Sequence, residues 1–85
     1  MEKVEPRELF KILGRNVKYY RGLYNLKKGK MTQEDLAEII DVSTALIGNL
    51  ESAKIEQGVS VPTLVNLSRA LEVSIDDLLN PSIDK

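Results

Sequence analysis

The sequence contains neither cysteine nor histidine. Without thiols there is no disulfide, no thiolate metal site and no cysteine nucleophile, and without imidazole the usual neutral-pH proton shuttle is gone. Most enzyme chemistries are thereby disfavoured, so the expectation is a protein that is not an enzyme and carries no cofactor or metal. No apolar run approaches the ~20 residues that a membrane span needs. The opening MEKVEPRELF is too charged for a signal peptide, and a cytoplasmic protein is expected. A chain of 85 residues supports one core, not a core plus a separate sensor or catalytic module.

Excess positive charge is also missing. The formal net charge is -1 at pH 7, which taken alone argues against a nucleic-acid partner, because neutralised phosphates supply most of the affinity for DNA. The distribution reverses that argument. Met1 to Met31 carries nine Lys/Arg against three Glu, whereas Thr32 to Lys85 carries three against ten Asp/Glu. A basic surface is expected from the first helix and the loop after it, with acidic surface elsewhere. A merely solvated helix face is the alternative for these charges.

No segment alternates with period two for long enough to suggest a sheet, and the fold class is all-α. Residues 1–6 read as a flexible N-terminal arm, 7–80 as the folded domain and 81–85 as a C-terminal tail. Pro6 suits a helix's first turn, and helix one begins near Arg7. Leu9, Phe10, Leu13, Val17, Tyr20 and Tyr24 recur mostly three and four apart and form its core face. Asn25 to Lys30, with a glycine and three lysines, reads as a basic, mobile connecting loop. Thr32 caps helix two, with Glu34 and Asp35 where the helix dipole favours negative charge. Leu36, Ala37, Ile39 and Ile40 are its expected buried face. Ser43 caps helix three after a very short turn, with Ile47 and Leu50 inward and Thr44, Ala45, Gly48 and Asn49 outward. Ser60, with Pro62 in the first turn, opens helix four, whose periodic face is Leu64, Val65, Leu67, Ser68 and Leu71. Ser74 opens a brief helix five that seals the core with Ile75, Leu78 and Leu79 and ends at Asn80-Pro81.

Two short helices joined by a tight turn, each opening on a capping residue, form a device for reading a major groove. The first crosses the backbone with its free N-terminal amides towards phosphate, and the second meets base edges with its early outward residues. The residues at these places are Met31-Thr32-Gln33-Glu34-Asp35-Leu36-Ala37, then Ile40-Asp41-Val42-Ser43, then Ile47-Gly48-Asn49-Leu50-Glu51, then Leu67 to Leu78 (LSRALEVSIDDL). This ordered series resembles the Cro/CI-like (XRE) family of DNA-binding repressors over about Leu13 to Leu79. The resemblance implies a compact five-helix, lambda-repressor-like domain, a role as a helix-turn-helix transcriptional regulator, double-stranded operator DNA as partner, and usually a homodimer on a pseudo-palindrome. No membrane partner is expected, and no small-molecule ligand is evident. The dimer interface would be helix five and its neighbouring loop, with Ile75, Leu79 and Ile83.

Carried over by position, Gln33 would bond the DNA backbone and brace recognition-helix side chains, or serve only as an exposed helix former. Thr32 lies at the helix terminus that faces phosphate. Ser43 would cap helix three, alone or together with a phosphate contact. Thr44, Ala45, Gly48 and Asn49 occupy base-facing positions, and only Asn49 has an amide able to pair bidentately, preferably with adenine. Leu46 would touch a thymine methyl or pack inward. Arg21 and Glu51 would pair, fixing the recognition helix against helix one. Lys28 and Lys54 are the expected phosphate ligands.

The sequence departs from the family pattern in a longer loop between helices one and two, in Asp41 where the turn commonly has glycine, and in Ala53 with a lengthened loop after the recognition helix. Asp tolerates the left-handed conformation better than most residues. The alternative function is an antitoxin or partner-controlled interaction module on the same fold. Asp35, Glu38, Asp41, Asp76 and Asp77 are not arranged as a catalytic site, since capping accounts for those at helix N-termini.

Overall fold

Five side chains open five helices. The computed structural model describes residues 1–52 and 54–82, among which no strand occurs. Ala53, and Ile83 in the expected dimer interface, lie outside the described residues. The helices are α1 (Pro6–Lys27), α2 (Gln33–Ile40), α3 (Thr44–Glu51), α4 (Val61–Leu71) and α5 (Ile75–Leu79), capped in turn by Glu5, Thr32, Ser43, Ser60 and Ser74. The cap of α1 is a correction at the edge of the expected arm. Glu5 accepts from the Arg7 and Glu8 amides at 3.1 and 3.0 Å, and Pro6 is already helical. Both amides belong to the orphan set of a helix start, so a carboxylate there replaces water.

The connection between α1 and α2 is also shorter than expected. Residues 25–27 are helical, α1 ends at Lys27, and only Lys28 to Thr32 link it to α2. Asn25 explains the difference. Its Nδ2 donates to the carbonyls of Arg21 (2.9 Å) and Met31 (3.0 Å), and its Oδ1 accepts from the Met31 amide at 2.6 Å. The asparagine that reads as a loop residue thus bonds the turn behind it and clips the returning chain, which reverses at Gly29 with φ 141°.

The core is one cluster that draws on all five helices: Leu13, Val17 and Tyr20 from α1, Leu36, Ala37 and Ile40 from α2, Ile47 and Leu50 from α3, Leu67 and Leu71 from α4, and Leu78 from α5, with Met31 from the loop. Ile39 does not join them; it is 59% exposed. At 100° per residue, Leu36, Ala37 and Ile40 fall within one arc and Ile39 lies outside it, so the expectation of a four-residue buried face on α2 fails on helical geometry. Burial raises the pKa of the Tyr20 phenol, with further contributions from Asp77 and Tyr19.

Residues along α1 fasten other parts of the chain to it. Asn16 is fully buried, and its Nδ2 donates to the carbonyls of Leu78 at 2.9 Å and Asn80 at 2.8 Å, satisfying orphan acceptors at the end of α5. Beside it, Arg15 donates to the Pro81 carbonyl at 2.6 Å. Gly14 faces α3, where a Cβ would stand 1.7 Å from the Leu50 carbonyl oxygen. Only a residue without a side chain lets α1 and α3 approach so closely. Two left-handed C-caps, Asp41 (φ 59°) and Glu72 (φ 58°), turn the chain after α2 and α4.

Candidate nucleic-acid interface

Caps define the start of both helices in the bihelical unit. Thr32 and Asp35 form a reciprocal capping box: the Thr32 hydroxyl accepts from the Asp35 amide at 3.0 Å, and the Asp35 carboxylate accepts from the Thr32 amide at 2.9 Å. The Thr32 amide first, then its hydroxyl, hold the Asp35 carboxyl below the usual carboxylate range, and Lys30 adds to this. Ser43 caps α3 by accepting from the Leu46 amide at 3.0 Å. The first amides of α2 and α3 have no acceptor within their own helices, which gives each N-terminus affinity for an anion.

The turn between them is three residues, with Asp41 in the left-handed region that glycine would otherwise supply. Ile47 and Leu50 bury one side of α3, and Leu46 is half-buried against the core, as its inward reading expects. Thr44 and Ala45 are exposed, while Gly48 and Asn49 are half-buried. Gly48 lies beside Gln33, since a Cβ there would stand 3.5 Å from Gln33 Oε1. The outward positions of α3 therefore lie on the side away from the core, next to the start of α2.

Behind that surface is a polar anchor. Arg21 and Glu51 form the expected pair as a two-pronged contact, Nε to Oε2 and Nη2 to Oε1, each at 2.8 Å. The side chains are 17% and 2% exposed. Arg21 Nη1 also donates to the Met31 carbonyl at 3.2 Å, and Gln33 Nε2 donates to Glu51 Oε1 at 3.0 Å. The hydrogen bonds to Glu51 raise the Arg21 pKa further. Three nitrogens thus satisfy one buried carboxylate, and one cluster ties the end of α3 to α1, to the loop before α2 and to the first residue of α2. Gln33 is braced here through its nitrogen, which leaves its oxygen towards Gly48.

The cationic residues are placed unequally. Lys28 is bound by Glu72 at 2.7 Å, with its Nζ 5.7 Å from the centre of the Tyr24 ring. The pair is about half exposed and joins the end of α1 to the turn after α4. Lys30 is exposed and acts on Asp35 at the start of α2. Lys54 is exposed in the loop after α3, its amide bonded to the Ser52 hydroxyl at 3.3 Å. In the same loop Gln57, a residue that sequence reasoning passed over, reaches Asn49. Gly14, Asn16 and Asn25 were also not singled out as structural residues. A glycine inside a helical pattern and a polar residue between core positions are the signals that could have flagged Gly14 and Asn16. Among the described residues no group of His, Cys, Asp and Glu could hold a metal ion, and no helix is long and apolar enough to cross a membrane.

A helix-turn-helix family model matches residues 24–78, which include both helices of the unit and most of the packing around it. The control protein C.SmaI of Serratia marcescens is 38% identical over 72 residues, 85% of this chain and 77% of that protein. Among solved structures, the restriction-modification controller protein C.AhdI from Aeromonas hydrophila has a TM-score of 0.65 at 23% identity, covering 81% of this chain and 94% of its own. A hypothetical transcription factor, NHTF, from Neisseria has a TM-score of 0.69 at 21% identity, covering 96% and 86%. The last two show the same all-helical fold.

Proposed function

Because the chain belongs to the helix-turn-helix family and is a DNA-binding transcriptional regulator of the Cro/CI-like (XRE) type, we propose that it is a cytoplasmic, homodimeric repressor of a pseudo-palindromic operator. It acts as a control protein, in keeping with the designation of its Serratia relative. One observation carries the reading: α3 leaves Thr44 and Ala45 exposed beside Gly48 and Asn49, while its end is anchored by Arg21, Glu51 and Gln33.

In this reading Thr44, Ala45, Gly48 and Asn49 line the major groove, and Asn49 supplies the bidentate amide. The N-termini at Thr32 and Ser43 receive phosphates, joined by the Gln33 oxygen and by Lys54. Lys30 takes first place among the loop lysines, and Lys28 second, because Glu72 already neutralises Lys28. Selection of bound duplexes from a random pool is the test. The expected outcome is one motif with inverted half-sites whose centres are about one helical turn, roughly 10 base pairs, apart. A pool that gives no enriched motif overturns the reading, and an enriched single half-site with a monomer in sedimentation equilibrium removes the dimer.

A partner-controlled module is the second reading. Its support is that Arg7 and Lys28, two cations of the basic N-terminal part, are matched within the chain by Glu56 and Glu72. Such a module would show little dependence of DNA affinity on salt.

A further inference from the structure

An amide side chain has two faces, and half a turn about its last bond exchanges donor and acceptor. A base edge accepts only one of the two. Among the outward positions of α3, Asn49 alone carries an amide, so whatever holds its orientation also holds the base preference.

That hold comes from the loop between α3 and α4. Asn49 Nδ2 donates to Gln57 Oε1 at 3.4 Å. Gln57 is set in turn by its own Nε2, which donates to the Gly58 carbonyl at 2.8 Å. Gly58 lies against the Phe10 ring, where a Cβ would stand 3.2 Å from Cε2, and Phe10 packs on the core. A continuous set of contacts therefore runs from α1 through Gly58 and Gln57 to Asn49. With the Gln57 nitrogen committed to a carbonyl, oxygen is what Gln57 offers to Asn49. A flipped Asn49 would set two carbonyl oxygens against each other, leaving both without the donor they need. One N–H of Asn49 is used inwardly, while its second N–H and its Oδ1 remain, the pair that matches adenine N7 and N6.

We propose that Gln57 is a specificity-determining positioning residue, which fixes the amide of Asn49 from the α3–α4 loop and so selects adenine at the base pair that Asn49 reads. This deepens the operator reading above and rests on it. Gln57 acts through Asn49, and its substitution alters preference at one base pair rather than affinity as a whole.

The experiment uses the operator obtained by selection and duplexes with single changes at each position, titrated by fluorescence anisotropy at fixed salt. Wild type is expected to prefer adenine at one pair by roughly ten- to a hundredfold, and Asn49→Ala to abolish that preference. Gln57→Ala reduces it to within about threefold, leaves other positions and the salt dependence unchanged, and adds nothing in the Asn49→Ala background. Gln57→Glu keeps an oxygen acceptor for Asn49 but loses the donor to the Gly58 carbonyl, so its preference is expected to fall between those of wild type and Gln57→Ala, while its charge weakens binding to every duplex. Retention of the full adenine preference in Gln57→Ala, or equal weakening on every duplex, overturns the positioning role and leaves the operator reading intact. A specific wild type whose preferences survive Asn49→Ala removes Asn49 as reader and Gln57 with it. A wild type with no preference at all overturns the operator reading itself.

Discussion

Gly14 and Gly22 share one helix and have opposite surroundings. At Gly14 a Cβ would be driven into the Leu50 carbonyl, whereas at Gly22 it would meet nothing within 4 Å. Backbone cannot move aside as a flexible side chain can, so Gly14→Ala must displace α3 and is expected to lose about 3 kcal/mol or more. Gly22→Ala should gain about 0.5–1 kcal/mol, because an exposed helical glycine spends more chain entropy on folding than alanine does. Urea denaturation of the two variants checks both signs, and equal changes would contradict the close approach of α1 and α3. The anchor at Glu51 gives a second test at this scale. Glu51→Gln keeps the shape but leaves the Arg21 charge half-buried without its partner, and is expected to cost about 2 kcal/mol, below the range for fully buried pairs because Arg21 retains some solvent. A loss under about 0.5 kcal/mol in the same assay would reduce the pair to a surface contact.

Among elements, α2 depends most on its two ends. Eight residues are too few for a helix to be stable by propensity, so the capping box at Thr32 and Asp35 and the packing of Leu36, Ala37 and Ile40 must hold it. The Asp35 carboxyl titrates below its ordinary value, and an unfolded aspartate titrates near about 3.9. Its contribution is therefore present above that pH and disappears as pH falls through the lower folded value. Asp35→Asn preserves an oxygen for the Thr32 amide and removes this titration. Denaturation midpoints measured between about pH 5 and pH 2 should fall less steeply for Asp35→Asn than for wild type. At the other end, Asp41 occupies the left-handed region, which is unfavourable for a residue with a Cβ. Asp41→Gly is expected to stabilise the protein by about 0.5 kcal/mol, the relief of strain exceeding the added freedom of the unfolded chain. Thermal melting should show a rise of a few degrees.

For the whole molecule, charge placement matters more than net charge. A chain of formal charge -1 can bind a polyanion only if its cations gather on one side and its acidic groups stay off the duplex. The affinity of wild type for its operator is expected to fall between 50 and 200 mM salt with a log-log slope of about -0.9 per neutralised phosphate. Lys30→Ala should reduce that slope by about one unit, whereas Lys28→Ala should leave it nearly unchanged because Glu72 holds Lys28 in the free protein. Equal effects of the two substitutions would mean that the ion pair with Glu72 opens on binding.

The all-helical class, the helix count and the caps at Thr32, Ser43, Ser60 and Ser74 could be read from local pattern, because periodicity and capping act within a few residues, whereas the turn position of Asp41 was legible only through the family resemblance. The outward set Thr44, Ala45, Gly48 and Asn49 follows from the same period once Ile47 and Leu50 are taken as inward. Hydropathy alone misplaced Ile39, which has an apolar side chain but stands outside the arc of Leu36, Ala37 and Ile40 that joins the core. Composition alone misplaced Asn25, whose amide clips Met31 rather than ending the helix. The backbone contact at Gly14, the buried Asn16, the commitment of Lys28 to Glu72 and the Gln57 contact to Asn49 were decided only when distant segments met. Each depends on partners far apart in the chain, and no local pattern records which distant partner a polar side chain or a missing Cβ will meet.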